Sequence, residues 1–313
     1  MRKIIIGVLF FIIVAYFGIG FYVYGESVAV PCSSVDCEKD NRPDNFSLGE
    51  KANWDPSKYF VQDYETVLIS TDDEVVLSGW WMETDKNAPT IIGLHGVTSG
   101  KHSPDVLLVG GMLVSEGFNY LTFDFRDHGE STCEDGVHSA GQKEIYDVKA
   151  AIDWLVNEKN ISSDKIGLHG SSFGGMVALM TQYVSDDISA LSIVDTPFDF
   201  ASLVREELIY QGFPAFLYEP VNHYALLFEG IDITEVSPED GVSRGKNPMI
   251  IFNGVKSDRV LSHHTDDLIN AGKQYNVEML INRYPELSHT EIMFVYPDEF
   301  LNKIVPFFKE NLN

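Results

Sequence analysis

A serine between two glycines, in the segment GSSFG at residues 170–174, is the feature of this sequence best suited to chemistry. The pattern G-x-S-x-G is typical of a sharp turn that joins a strand to a helix and holds its serine exposed as a nucleophile. An apolar run of strand length precedes the segment, and a helical pattern follows it. We therefore predict that Ser172 is a nucleophile and that Gly170 and Gly174 shape a turn too tight for other residues. A helix cap without chemistry is the alternative.

A serine hydroxyl is a weak nucleophile and needs a histidine base, which an acid orients. After a G-x-S-x-G turn, the acid comes first along the chain and the histidine second. Asp258 follows a buried apolar run, and His289 lies in a loop just past the last predicted strand, so both should reach the sheet edge of the nucleophile. Asp195, after an earlier strand, is the rival acid. His263 and its neighbour His264 are interpreted as capping or surface residues.

Extended and helical patterns alternate after residue 62. The predicted strands span residues 66–70, 75–81, 90–95, 120–125, 165–169, 188–194, 248–253 and 277–283. The predicted helices span residues 105–116, 144–157, 172–184 and 297–312. The first two strands form an antiparallel hairpin. The later strands are almost continuously apolar, which indicates a mostly parallel sheet covered by helices on both faces, so the fold class is α/β.

A long connection without a clean strand, residues 198–245, interrupts this alternation. Connections of this length inside a compact domain are usually functional, for example as lids. We therefore predict a helical cap insertion, called the cap below, over an apolar pocket. Its aromatic residues are Phe198, Phe200, Tyr210, Phe213, Phe216, Tyr218, Tyr224 and Phe228.

An uncharged apolar run from Ile4 to Tyr24 follows Arg2 and Lys3. Such a run can span a hydrocarbon layer of about 30 Å. We predict a transmembrane signal anchor over residues 1–25, with the basic residues cytoplasmic and the rest of the chain extracytoplasmic. A cleaved signal peptide is the alternative, although its apolar region is usually shorter. Residues 26–62, polar and without an apolar period, are predicted to be a tether leading to the domain at 63–313.

The charge balance limits the partners of this protein. Lys and Arg number 22 and Asp and Glu 47, so the formal net charge is −25. Because phosphate backbones are repelled by such a surface, nucleic acid is excluded as a partner. Hydrophobic residues make up 44% of the chain, which indicates a folded protein.

The three cysteines offer a disulfide but no metal site. Cys32 and Cys37 lie close together and could form a small loop in an oxidising compartment, or remain two free thiols. Cys133 is interpreted as a filler residue. No cysteine and histidine spacing typical of zinc is present, so we expect neither a metal nor a cofactor.

The motifs together resemble a known superfamily. They are Leu94-His95-Gly96-Val97, FDFRDHGES at residues 123–131, GSSFG at 170–174, VDTP at 194–197, Asp258 and His289. In this order they make residues 63–313 similar to the α/β-hydrolase superfamily. The similarity is closest to membrane-anchored bacterial and archaeal members and to the serine aminopeptidase-like S33 and ABHD13-like group.

The resemblance implies further roles. The backbone N–H groups of Val97 and Phe173 would form an oxyanion hole, while His95 and His128 would be structural. One departure concerns the acid, which the family usually places three residues after a glycine, whereas Asp258 stands four after its glycine.

The resulting hypothesis is a membrane-anchored serine hydrolase that acts on a small-molecule acyl substrate, with a carboxylic ester favoured by the aromatic cap. A peptidase or a thioesterase would use the same triad. The alternative of another class is a non-catalytic binding protein on a hydrolase scaffold. The sequence does not specify the oligomeric state.

Overall fold

A computed structural model describes residues 2–30, 32 and 40–312. Eight strands form one sheet in the order β1-β2-β4-β3-β5-β6-β7-β8. They are β1 Glu65–Ser70, β2 Val76–Met82, β3 Thr90–Leu94, β4 Asn119–Phe123, β5 Ile166–Ser171, β6 Ala190–Val194, β7 Met249–Gly254 and β8 Met279–Tyr284. β2 pairs antiparallel with β1 and β4, and all other pairs are parallel. The predicted α/β fold with a mostly parallel sheet is confirmed.

Helices cover both faces of the sheet. Within the described residues they are α1 Arg2–Val28, α2 Pro104–Ser115, α3 Glu144–Asn157, α4 Phe173–Thr181, α5 Phe200–Tyr210, α6 Tyr218–Tyr224, a π-helix Ala225–Glu229, α7 Pro238–Gly245, α8 Ser262–Tyr275, α9 Ile292–Val295 and α10 Pro297–Asn311. Four of them, from α5 to α7 with the π-helix, belong to the predicted cap.

Two apolar clusters hold the sheet between its helices. One lies under α3, α4 and α8, and the other lies under α2 and α10. The central strands β3 to β7 are buried along their whole length, as their continuous apolar sequences require. Burying a large apolar side chain stabilises a fold by about 1.5–3 kcal/mol, so these layers fix the sheet edge that carries the candidate site.

The predicted tether differs from the structure. Its residues 40–62 pack on the domain, where Phe46, Leu48 and Tyr59 are buried in the cluster under α2. The three side chains enter the core from irregular backbone, and such backbone has no apolar period that a sequence pattern could reveal. The folded part of the chain therefore begins before residue 63.

The cysteine interpretation was wrong. Cys32 forms a disulfide with Cys133, 101 residues away along the chain, which rules out a bond between Cys32 and Cys37 and gives Cys133 a partner. Cys37 lies outside the described residues. The bond joins the segment after α1 to a loop of the domain, where the N–H of Val30 also donates to the carbonyl of Gly136 at 2.9 Å.

We expect Cys133→Ser to lower the free energy of unfolding by about 2–4 kcal/mol, because the disulfide closes a long loop in the unfolded chain. The measurement is the unfolding temperature of the full chain in detergent, with Cys37→Ser as the matched control. An unfolding temperature equal to that of the wild type would contradict a stabilising bond.

Helix α1 is long and apolar enough to cross a membrane. Its segment Arg2–Glu26 has a mean hydropathy of 2.8 and is almost entirely exposed. A signal sequence has the same composition, so the helix is compatible with a membrane anchor and also with an export signal. The C-terminal part of α1 packs on the cap, with Val23, Tyr24 and Val28 buried there.

Candidate active site

The predicted turn between strand and helix is present at the end of β5. Ser172 follows β5 directly and caps α4, with φ 53° and ψ −122°, in a backbone region that costs energy for a residue with a side chain. A Cβ on Gly170 would meet the carbonyl carbon of Gly174 at 2.5 Å, and a Cβ on Gly174 would meet the carbonyl oxygen of His95 at 2.6 Å. Both glycines are therefore required by the close packing of this turn.

The two residues predicted to supply oxyanion donors, Val97 and Phe173, line the same cavity as Ser172. Phe173 is the first residue of α4, and the first N–H groups of a helix have no partner within it. Val97 lies in the turn that follows β3 and lines the same cavity as Phe173. The N-terminus of α4 also favours negative charge, which an acyl transfer would develop at this point.

His289 lies in the loop after β8, and its Nδ1 is 3.2 Å from Oγ of Ser257. Burial lowers the pKa of His289 to about 4, and the positive charges of Arg259 and Lys51 act in the same direction. The imidazole is therefore neutral at pH 7 and can accept a proton.

Asp258 occupies the loop after β7, one residue beyond Ser257, and is exposed. Its negative charge acts to raise the pKa of His289, although burial of the imidazole has the larger effect. Among the described residues no hydrogen bond joins the Asp258 carboxylate to His289, whose Nδ1 faces Ser257 instead. Asp258 does not line the cavity, so its role as the acid stays a prediction.

The rival acid, Asp195, is buried at the end of β6 and holds backbone groups. Its Oδ2 accepts a hydrogen bond from the N–H of Thr290 at 2.7 Å, and its Oδ1 accepts one from the N–H of Gly254 at 2.7 Å. Burial raises the pKa of Asp195 to about 6 in spite of these donors. Asp195 thus ties the end of β7 to the loop that carries His289.

A cavity of about 450 Å³ is lined by four of the predicted site residues. Ser172, His289, Val97 and Phe173 all line it, whereas Gly170, Gly174 and Asp258 do not. The cap supplies an apolar wall through Phe200, Leu203 and Val204 of α5. Glu26 of α1 and Ala29, the residue that follows the helix, also line the cavity. The residues predicted as nucleophile, base and oxyanion donors thus line one space that an acyl group could occupy.

Several cavity residues were missed by the sequence analysis. Lys51 comes from the segment predicted as a tether, and His138 comes from an irregular loop, where its ring packs 5.2 Å from that of Phe173. Arg259 pairs with Glu207 of α5 at 3.1 Å, which links the loop after β7 to the cap. Only Arg259 carried a usable signal, since it adjoins Asp258 in the sequence.

The charged motif at residues 123–131 is structural. Asp124 accepts hydrogen bonds from the N–H groups of Lys101 and Glu130, at 2.7 and 2.9 Å, and pairs with the Lys101 ammonium. The N–H of Phe125 donates to Nε2 of buried His95 at 3.0 Å, and burial lowers the pKa of His95 to about 3. These bonds fix the loop after β3 that carries Val97.

One cluster outside the cavity has side chains suited to a metal. Glu206 of α5 lies near His263 and His264 at the start of α8. Nδ1 of His264 faces the N–H groups of Phe198 and Asp199, at 3.2 and 3.4 Å, and therefore accepts, so Nε2 carries the proton and donates to Glu206. A protonated Nε2 cannot bind a metal, so this cluster is a hydrogen-bonded link between the cap and α8.

The sequence of this chain matches a known protein family over more than half of its length. The model of the prolyl oligopeptidase family matches residues 110–313. The chain belongs to the prolyl oligopeptidase family. As a member of this family, it falls within the α/β-hydrolase superfamily that its motifs indicated.

Relatives of this family member include esterases and peptidases. The Pyrococcus furiosus esterase Pf2001 superposes with a TM-score of 0.69 at 25% identity, covering 92% of this chain and 98% of that one. Protein bem46 of Schizosaccharomyces pombe is 27% identical over 54% of this chain and 56% of its own length. The mouse acylamino-acid-releasing enzyme is 23% identical over 79% of this chain and 34% of its own length. The chain thus spans about half or less of these two curated relatives.

Proposed function

We propose that this family member is a membrane-anchored serine hydrolase that cleaves acyl bonds, with carboxylic esters as the preferred substrates. The observation that supports the proposal is the cavity that Ser172, His289, Val97 and Phe173 line together. The triad comprises Ser172 as the nucleophile, His289 as the base and Asp258 as the acid.

The reaction proceeds in two steps. Oγ of Ser172 bonds to the acyl carbon while His289 takes the hydroxyl proton, and the oxyanion is held by the N–H groups of Val97 and Phe173. The ester C–O bond then breaks, and the alcohol leaves with the proton from His289. In the second step His289 removes a proton from water, whose oxygen bonds to the acyl carbon. The bond from that carbon to Oγ of Ser172 then breaks, His289 returns the proton to Oγ, and a carboxylic acid is released. These groups complete the reaction without a metal or cofactor.

The apolar wall of the cavity supports an ester with an apolar acyl or alcohol group. Phe200, Leu203 and Val204 offer no hydrogen bond to a peptide backbone through their side chains, but they can bury an alkyl chain. The likeness to the esterase Pf2001 points in the same direction.

A peptidase is the second candidate, because the family model and the acylamino-acid-releasing enzymes favour it. The carboxylates of Glu26 and Glu207 line the cavity and could receive a positively charged group of a peptide. A thioester would react with the same nucleophile in the same two steps, so a thioesterase would use the same proposed mechanism.

A matched pair of substrates separates these candidates. We expect p-nitrophenyl esters to be cleaved with a kcat/KM that rises with acyl chain length, because each methylene buried in the apolar wall adds about 0.8 kcal/mol. The p-nitroanilides of the same acyl groups, and of acetylated amino acids, should be cleaved far more slowly. Faster cleavage of the acetylamino anilides would make the protein a peptidase.

The domain is proposed to lie outside the cytoplasm, with Arg2 and Lys3 on the cytoplasmic side of the anchor. The Cys32–Cys133 disulfide supports this orientation, because disulfides persist in oxidising compartments.

The pH dependence should reflect the low pKa of His289. Only the neutral imidazole can act as a base, and its pKa of about 4 keeps it neutral down to that pH. We expect kcat/KM to be flat from neutral pH to about 5 and to fall with a midpoint near 4. Arg259→Ala should move this acid limb to higher pH, because a neighbouring positive charge is removed. A wild-type midpoint at the ordinary histidine value of about 6.5 would contradict the expectation.

A further inference from the structure

The cap is packed directly against the predicted anchor helix. A Cβ on Gly20 of α1 would collide with the carbonyl oxygen of Pro220 in α6, so glycine permits close contact between the two backbones. Oη of Tyr16 lies 2.6 Å from Nδ1 of His223. Four ring pairs also join α1 to the cap, namely Tyr16 with His223, Phe17 with Phe228, Phe21 with Tyr224, and Tyr24 with Tyr224.

These contacts lie within the apolar run of α1. At about 1.5 Å per residue, Tyr16 is about 12 Å from Tyr24 along the helix axis. The run from Ile4 to Tyr24 is about as long as the hydrocarbon layer is thick. If α1 spans a bilayer, the part of the cap that touches Tyr16 and Phe17 must lie below the headgroup surface of the adjoining leaflet.

The cap surface beside α1 is apolar, as a position below the lipid headgroups requires. Large exposed apolar residues, called the cap tip here, are Ile209, Tyr210, Phe213, Phe216, Leu226, Leu227 and Phe228. Phe216 is 70% exposed and Leu227 64%. The ring of Phe228 lies 5.4 Å from that of Phe17, and the short 3₁₀ turn Ala215–Leu217 contacts α1, so the cap tip is continuous with the anchor. Apolar patches of this kind mark contact with lipid or protein.

The charges near the cap tip indicate which kind of lipid interaction is possible there. Glu219 and Glu229 are exposed beside it, and the whole chain has a net charge of −25. Attraction to anionic headgroups is therefore excluded as the source of binding, and burial of apolar side chains must provide it.

The same elements wall the catalytic cavity. α5 contributes Phe200, Leu203 and Val204 to the cavity and ends at the exposed Ile209 and Tyr210 of the cap tip. Glu26 of α1 and Ala29, the residue that follows the helix, also line the cavity. A single helix, α5, therefore connects the cap tip to the wall of the cavity.

We propose that the cap tip inserts into the leaflet next to the domain and that the substrate is a long-chain acyl ester resident in that leaflet. The proposal rests on the proposed function, because it requires both the anchor and ester hydrolysis. It specifies the substrate as an amphiphile whose acyl chain moves from the bilayer along α5 into the cavity.

Insertion is tested with a tryptophan probe in the full chain reconstituted into phosphatidylcholine vesicles. Leu227→Trp places the probe in the cap tip, and Leu68→Trp, at a side chain 68% exposed on the edge strand β1, is the matched control. Lipids brominated in the upper acyl chain should quench the added emission at position 227 by about half and leave that at position 68 unchanged, as expected for burial about 5–10 Å deep. Equal quenching at both positions, or quenching only with anionic lipid, would overturn the insertion.

Access to the substrate is tested with Leu227→Glu and Leu68→Glu, both at exposed positions outside the cavity. Leu227→Glu should lower hydrolysis of a long-chain ester in the vesicles about tenfold, while hydrolysis of a soluble p-nitrophenyl acetate stays unchanged. Leu68→Glu should affect neither substrate. Equal rates for both variants on the vesicle ester would overturn the proposal.

Different results would refute the anchor, the proposed function and the insertion of the cap tip. Release of the wild-type chain from membranes by alkaline carbonate would refute the anchor. Retention of the chain without hydrolysis of either ester would refute the proposed function, while the quenching at position 227 would still report insertion. Hydrolysis of the soluble ester alone, with position 227 unquenched, would refute the further proposal and leave the hydrolase standing.

Discussion

Ser172→Ala is expected to lower kcat for ester hydrolysis by a factor on the order of 10⁶, because the acyl-enzyme can no longer form. The variant should also lose covalent labelling by a fluorophosphonate, which reacts only with an activated serine. Alanine retains the backbone of the turn, so the fold should persist. The measurement is the amount of labelled chain after gel separation, together with the rate of p-nitrophenyl ester cleavage.

Ser171→Ala provides the matched control for this result. Ser171 is the last residue of β5, is buried, and precedes the nucleophile by one position. Its replacement should leave labelling at the wild-type level. Labelling of the Ser172 variant equal to that of the wild type would show that another residue is the nucleophile and would refute the proposed site.

Asp258→Asn is expected to reduce kcat by a factor on the order of 10⁴, because a neutral side chain supplies no charge to the imidazolium of His289. The loop geometry supports this expectation, since Ser257, the preceding residue, already lies 3.2 Å from Nδ1 of His289. The measurement is kcat for a short p-nitrophenyl ester.

Asp195→Asn tests whether Asp195, instead of Asp258, is the acid of the triad. Both carboxylate oxygens of Asp195 already accept backbone N–H groups, so an amide would leave one of those donors unpaired and cost about 1–3 kcal/mol in stability. We expect a lower unfolding temperature but most of the wild-type kcat in the folded variant. The reverse ranking, with both variants folded by circular dichroism, would make Asp195 the acid and leave Ser172 and His289 in place.

The parts of the fold that sequence predicted are those governed by local pattern. The helix predicted over residues 144–157 is α3 with identical bounds, and the turn at Ser172 lies between a strand and a helix as the glycines required. Apolar strands and glycine turns carry their signal within about ten residues. Val97 was predicted from the resemblance to the superfamily, and it lines the cavity.

The parts that sequence missed depend on contacts between distant segments. The partner of Cys32 is 101 residues away and becomes its neighbour only when the segment after α1 meets a loop of the domain. Lys51 and His138 reach the cavity from irregular backbone, where no period marks the side that faces inward. The contact between Gly20 and α6 likewise arises from the docking of two helices that are distant in the sequence.

The Cys32–Cys133 disulfide also bears on how the domain could be released from a membrane. A single backbone cut anywhere between these two residues leaves both pieces covalently joined, so a protease acting there would not shed the catalytic domain. Release would require reduction of the bond or a cut on the N-terminal side of Cys32. A domain anchored through α1 would therefore stay attached to the membrane after a single cut between residues 32 and 133.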